Sequence, residues 1–122
     1  MVDLSVKIGK LKLKNPVMAG SGTFGAEYGE LMDIRKLGAY VAKTITLEAR
    51  IGNPPPRVCE TASGMLNSIG LENKGVGYFL EKTLPEAKKY GIPVIASIAG
   101  DYASEFAKLA ERLGGSSGVD AI

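Results

Sequence analysis

The sequence predicts an α/β protein built on a parallel sheet and entered through a β-hairpin. Three observations carry that prediction. Short apolar runs at 17–19, 39–44, 93–99 and 119–122 have the length and character of buried strands. Stretches with helical spacing lie between them, at 27–37, 75–90 and 106–113. Glycine, or asparagine before proline, punctuates most of the joins. Short strands that alternate with helices pair in parallel through right-handed crossovers.

Each element has its own justification. Leu4, Val6 and Ile8 alternate with Ser5 and Lys7, then Leu11 and Leu13 alternate with Lys12 and Lys14. With Gly9-Lys10 as the turn, residues 4–13 read as a hairpin with one apolar and one lysine-rich face. Asn15-Pro16 breaks it, and 17–19 runs as a buried strand into Gly20-Ser21-Gly22. Tyr28, Leu31, Met32, Ile34 and Leu37 space a helix that ends at Gly38. Residues 39–44 form the next strand. Val76, Phe79, Leu80, Leu84 and Ala87 space a second helix, bent near Pro85 or restarted there with proline in its first turn. Residues 93–99 are a strand closed by Gly100. Phe106, Leu109, Ala110 and Leu113 mark an amphipathic helix with Asp101 as candidate N-cap, stopped by Gly114-Gly115. Residues 119–122 open another strand.

The 122 residues suit one domain. Apolar residues at 45% and charged residues at 23% exclude a disordered chain. A net charge of +2, spread along the chain, makes no electrostatic case for nucleic acid. No apolar run reaches the ~18 residues of a spanning helix, and MVDLSVKIGK lacks the apolar core of a signal peptide. The expected location is therefore cytoplasmic, with no membrane partner. Cys59 is the single cysteine, so no internal disulfide forms. The sequence has no histidine. Histidine general bases, Ser-His-Asp triads and histidine-based zinc sites are thus excluded within these residues, and no metal site is expected.

Residues 45–73 exceed the usual loop length, contain Pro54-Pro55-Pro56 and show no convincing helix. Val58, Met65, Leu66, Ile69 and Leu71 argue against disorder there. The segment follows a strand's carboxyl end, where parallel α/β folds place their sites. The Ala19-Gly20-Ser21-Gly22-Thr23 string reads either as an ordinary βα turn or as a place where a planar ligand or phosphate approaches the backbone. Lys43 ends an otherwise apolar strand, either snorkelling to solvent or meeting an anionic ligand. Asn67, Ser68, Ile69, Gly70 and Leu71 close the long segment, either as a turn or as a ligand loop in which Asn67 offers a donor and an acceptor together. Cys59 has no activating partner and reads as a small buried or half-buried residue. Lys10, Lys12 and Lys14 read as a solvated strand face. Arg50 and Arg57 flank the prolines as surface residues or as ligand clamps.

The strings KNPVMAGSGTFG, AKTITLEARIGNPPPRVCETASGMLNSIGLENKG and PVIASIAG resemble class 1 dihydroorotate dehydrogenases, especially subclass 1B, over residues 4–122. The resemblance implies that the fold is the N-terminal part of a (β/α)8 TIM barrel with a preceding β-hairpin. About three βα units and the start of strand four would be present, in a single partial barrel domain of residues 1–122 with 45–73 as a long active-site loop. It implies FMN as cofactor and oxidation of dihydroorotate to orotate in pyrimidine biosynthesis. It also implies an electron-transfer subunit whose FAD and iron–sulfur cluster pass electrons to NAD. By resemblance, Ala19, Gly20 and Ser21 pack on the flavin, Lys43 touches flavin and substrate, and Thr44 binds the flavin. Asn67, Ser68, Ile69, Gly70 and Leu71 match the substrate loop. Ser97 stands where many members carry an asparagine on FMN, and its side chain is shorter.

A complete barrel of this kind takes ~250 residues. The family's cysteine base falls after Ile122, and Cys59 does not match it, so no catalytic residue is expected among these residues. The isolated chain is expected to be inactive and to bind FMN weakly or not at all. Two other readings stand beside the enzyme. One is a non-catalytic barrel fragment that forms a homo-oligomer through open sheet edges. The other is a different FMN barrel acting on pyrimidines, such as the related domain of dihydropyrimidine dehydrogenases.

Overall fold

A computed structural model describes residues 2–22 and 24–122. Met1 and Thr23, which belong to the amino-terminal and small-residue strings discussed above, lie outside the described residues. The strands are β1 (Val6–Ile8), β2 (Leu11–Leu13), β3 (Tyr40–Val41), β4 (Val58–Thr61), β5 (Gly64–Asn67) and β6 (Val94–Ile95). The α-helices are α1 (Gly75–Tyr78), α2 (Leu84–Lys88) and α3 (Ala103–Gly114).

β1 and β2 form the expected antiparallel hairpin, turning at Gly9, whose φ is +57°. Val6 pairs with Leu13 and Ile8 with Leu11, while Lys7 faces Lys12 between them. The period of two thus separates apolar pairs from the lysine face. Leu13 is fully buried, and Lys10, Lys12 and Lys14 are exposed. Asn15 Nδ2 donates to the Lys36 carbonyl at 2.9 Å, and the Lys14 ammonium donates to that of Arg35.

The parallel ladder runs in sequence order. Met18 bridges Ala39, β3 pairs with β6 in register Tyr40↔Val94 and Val41↔Ile95, and Ile95 bridges Ala121. A further parallel bridge, Ile45↔Ile98, extends the β3–β6 pairing toward the carboxyl ends. Four successive strand segments therefore lie side by side, each beside its sequence neighbour. Tyr40, Ala42, Ile45, Val94 and Ala96 of this ladder pack with Ile34, Val76, Phe79, Leu109 and Leu113 in one core. Each such large side chain contributes about 1.5–3 kcal/mol by its burial.

Residues 27–37 do not form the single helix their spacing predicts. Two 3-10 turns, Ala26–Glu30 and Ile34–Lys36, stand in its place. Gly29 weakens the first turn. The Asp33 carboxylate then accepts the Arg35 N–H at 3.1 Å, capping the second turn rather than continuing the first. Ile34 and Leu37 are buried but Leu31 is exposed, so no continuous apolar stripe exists to hold a long helix.

The 75–90 stretch is helical without a gap from Gly75 to Lys88, and its α-helix restarts at Leu84 with Pro85 in the first turn, one of the two arrangements its composition suggests. A π-turn at Phe79–Thr83 joins α1 to α2, and the Leu84 N–H reaches the Phe79 carbonyl. Pro85 follows within the first turn of α2, where its missing N–H costs little. α3 begins later than an Asp101 cap would require. Asp101 instead pairs with Arg50, and Glu105 accepts the N–H groups of Asp101 (2.6 Å) and Tyr102 (3.2 Å). Leu109 and Leu113 are fully buried, whereas Ala110 is exposed, so the apolar face of α3 is narrower than its spacing suggests.

Residues 45–73 contain an element that helix-seeking patterns miss. β4 and β5 pair antiparallel, from Val58↔Asn67 to Thr61↔Gly64, with all eight residues exposed. Neither face of this hairpin is buried, so the alternation of burial that betrays a strand is missing. Cys59 lies on it and is exposed, against the expectation of a buried or half-buried thiol. Among the described residues no helix is long and apolar enough to cross a membrane.

Candidate functional site

Three consecutive strands of the ladder end in polar side chains that meet. Thr44 Oγ1 lies 3.0 Å from Ser97 Oγ and donates, at the long distance of 3.4 Å, to Ser21 Oγ. Lys43 Nζ donates to the Gly22 carbonyl at 2.9 Å. Ser21, Thr44 and Ser97 are half-buried, and Lys43 is exposed. The parallel register forces this meeting. The Ile45 N–H donates to the Ser97 carbonyl and the Ala99 N–H to the Ile45 carbonyl, which sets Thr44 level with Ser97. Gly20 and Gly22 adjoin open space, for a Cβ built on either would meet nothing within 4 Å.

Asn67, Ser68, Ile69, Gly70 and Leu71 lie on a separate ledge. Asn67 ends β5, and no hydrogen bond joins these five residues to Lys43 among the described residues. The ledge is fixed by Asn53. Asn53 Nδ2 donates to the Ser68 carbonyl and hydroxyl, both at 2.9 Å, and the Asn53 N–H donates to the Ile69 carbonyl. Gly70 has φ +77°, and a Cβ there would stand 2.8 Å from the Asn53 nitrogen, so the close approach requires glycine. Leu71 follows in the left-handed region at φ +54°.

Arg50 and Arg57 are half-buried and paired. Arg50 Nη2 lies 2.6 Å from Asp101 Oδ2, and Arg57 pairs with Glu72. The first pair ties the long segment to the start of the α3 region, and the second closes the segment on itself.

Sequence reading missed Asn73. Its Oδ1 accepts the N–H groups of Thr46 (3.2 Å) and Gly75 (2.9 Å), and its Nδ2 donates to Thr46 Oγ1 (2.9 Å) and the Leu71 carbonyl (2.8 Å). The available signal was an asparagine two residues before a glycine at a helix start, a common turn pattern that names none of its distant partners. A cleft of about 710 Å³ opens between residues 24–27 and the helical stretch 75–86. Lys43, Thr44, Arg50 and Asn73 line it, with Phe24, Tyr40 and Tyr78 as aromatic walls. Ala19, Gly20, Ser21, Ser97 and residues 67–71 do not line it, so the cleft and the strand-end cluster share only Lys43 and Thr44. Among the described residues, no group of three or more acidic or thiol side chains is placed to hold a metal ion.

A run of parallel strands in sequence order, with polar groups gathered at the carboxyl ends, defines an α/β protein of the class that binds its ligands at that end. A family model described as dihydroorotate dehydrogenase matches residues 3–122. The chain belongs to the dihydroorotate dehydrogenase family. It is 54% identical over 123 residues to the protein named "Dihydroorotate dehydrogenase B (NAD(+)), catalytic subunit" of Thermoanaerobacter sp. (strain X514), covering 99% of this chain and 40% of that protein. The protein of the same name from Listeria welshimeri is 48% identical, over 100% of this chain and 41% of its own length. The chain thus spans about 40% of the length of the curated relatives it matches. Its fold is similar to that of the Eimeria tenella DHODH crystallised in complex with ferulenol. The TM-score is 0.62 at 21% identity, covering 90% of this chain and 33% of that one.

Proposed function

We propose that the chain supplies the N-terminal part of an FMN-dependent dihydroorotate dehydrogenase, which oxidises dihydroorotate to orotate in pyrimidine biosynthesis. Its fold is then the first part of a (β/α)8 barrel: the hairpin, about three βα units and the opening of strand four. One observation carries this reading. Ser21, Thr44 and Ser97 share a hydrogen-bonded cluster beside Lys43, at the carboxyl ends of three consecutive parallel strands.

The residues present suit a flavin. Open space beside Gly20 and Gly22 admits a flat ring against the backbone. In this reading Ala19, Gly20, Ser21, Lys43, Thr44 and Ser97 hold FMN, which supplies a two-electron acceptor when bound. The Ser97 hydroxyl is short, but it stands beside Thr44 and the two present a joint polar edge. Lys43 places a cation where the carboxylate of orotate would lie. Asn67 offers both a donor and an acceptor to the pyrimidine amide groups, with Ser68, Ile69, Gly70 and Leu71 completing the loop. Removal of the substrate's proton needs a base within hydrogen-bond reach. Cys59 is exposed on the β4–β5 hairpin and, among the described residues, has no basic group in hydrogen-bonding contact, so we assign the base to residues outside these 122. The relatives' designation as catalytic subunits of an NAD(+) enzyme supports a partner subunit that receives the electrons; the FAD and iron–sulfur cluster that the sequence resemblance implies are assigned to that partner.

The test is anaerobic addition of dihydroorotate to the purified full-length polypeptide that contains this chain. Bleaching of the flavin absorbance is the expected result. A flavin that binds but stays oxidised overturns the reading.

A further inference from the structure

We propose that Asn73 is a positioning residue for substrate binding: it ties the end of the 67–71 ledge to the strand extension that carries Lys43 and Thr44. The inference rests on the substrate role given above to Lys43 and residues 67–71.

The geometry is that of a hub with both ends of the long segment attached. Thr46 stands two residues beyond Thr44, and at 3% exposure it is a polar residue buried at the root of the segment. Leu71 is the last residue of the ledge. The Asn73 side chain touches both, through Nδ2 to the Leu71 carbonyl and to Thr46 Oγ1, and through Oδ1 to the Thr46 N–H. The backbone reinforces this closure. Arg50 and Asn73 exchange two hydrogen bonds at 2.8 and 2.9 Å, and the Val76 N–H donates to the Thr46 carbonyl at 3.0 Å. Gly75 fits only without a side chain, since at φ +78° its Cβ would stand 2.9 Å from the Ala49 nitrogen.

Hydrogen bonds from one amide to both Thr46 and Leu71 therefore fix the spacing between the Lys43 strand end and the 67–71 ledge, two groups that share no hydrogen bond of their own among the described residues. A carbonyl whose donor is removed is free to turn toward water, and Leu71, in the left-handed region, has a strained backbone that favours such a turn. The ledge would then lose its register against Lys43. The flavin-side cluster of Ser21, Thr44 and Ser97 makes no bond to Asn73 and keeps its own bonds.

The experiment uses the full-length flavin-loaded polypeptide and two variants. Asn73→Asp preserves size and the Oδ1 acceptor but removes the Nδ2 donor. Asn73→Ser retains a short oxygen for the Gly75 N–H but cannot span to Leu71 and Thr46. Orotate affinity is read from the flavin absorbance, FMN content from released flavin, and turnover from dihydroorotate-dependent reduction. Both variants are expected to hold FMN at the wild-type ratio, to bind orotate at least ten-fold more weakly, and to show a larger rise in KM than fall in kcat. Orotate affinity within two-fold of wild type overturns the proposal. So does loss of FMN together with orotate in both variants, because Asn73 would then serve the whole fold and not the ledge. A wild-type protein that binds no orotate at all overturns instead the functional reading on which the proposal rests.

Discussion

The Thr44 hydroxyl lies 3.0 Å from the Ser97 hydroxyl, joining two strand ends that are 53 residues apart in the chain. The contact follows from the register that sets Tyr40 beside Val94 and Ile45 beside Ile98. It makes Thr44 the centre of the strand-end cluster.

Thr44→Val keeps the shape of the side chain and removes its hydroxyl. Ser97 loses a partner, and Ser21 loses its long contact. A partly buried hydrogen bond of this kind is worth about 0.5–1.5 kcal/mol. Urea denaturation should show a loss of that size, and FMN titration by flavin fluorescence should show several-fold weaker binding. Ser97→Ala should lose less flavin affinity than Thr44→Val.

Lys43→Ala should weaken orotate binding by ten-fold or more, because charge-assisted hydrogen bonds contribute roughly 1.5–3 kcal/mol. Among the described residues the exposed ammonium is held by the Gly22 carbonyl alone, so stability should change little. Titration of flavin absorbance with orotate measures the first effect, and thermal unfolding the second. Unchanged orotate affinity would remove Lys43 from the site.

Gly75→Ala should destabilise the protein by more than the ~1–2 kcal/mol of left-handed backbone alone. The added methyl would crowd the Ala49 nitrogen and the Glu48 carbonyl carbon, both backbone atoms that cannot swing aside. Urea unfolding of the variant tests this, with Gly77→Ala as the comparison. A Cβ at Gly77 meets nothing within 4 Å, and α1 should gain from the alanine.

Alkaline pH should act through Tyr40. Burial pushes its phenol above the usual range, and the charge of Glu27 and the neighbouring Tyr90 push it further. The folded protein therefore holds this proton more tightly than the unfolded chain. Stability is independent of the group below the unfolded value of ~10 and falls as pH rises from there through the folded value. Urea midpoints measured from pH 8 upward should decline more steeply above pH ~10 in the wild type than in Tyr40→Phe. Parallel curves would show that Tyr40 does not carry the effect.

The sequence by itself determined the amino-terminal hairpin, the order of the parallel strands and of the helices after residue 74, and the residues that occupy the strand ends. These are local matters. Alternation over 4–13 dictates which face of β1 and β2 is apolar, and short apolar runs between glycines dictate buried strands. The strings around Lys43 and residues 67–71 were legible as well, because they are contiguous and unusual. Spacing alone misjudged 27–37, where Gly29 and the Asp33 cap break a helical pattern whose apolar residues never share one buried face. It also missed the β4–β5 hairpin, which buries neither face and so has no hydrophobic period to read. Only the tertiary structure decided that Thr44 meets Ser97, that Arg50 reaches Asp101 across 51 residues, and that Asn73 closes on Thr46 and Leu71. The physical reason is common to all three. Hydrophobic periodicity specifies which side of an element faces the core, whereas contacts between distant polar groups depend on the hydrogen-bond register between strands and on where each connecting segment re-enters the fold.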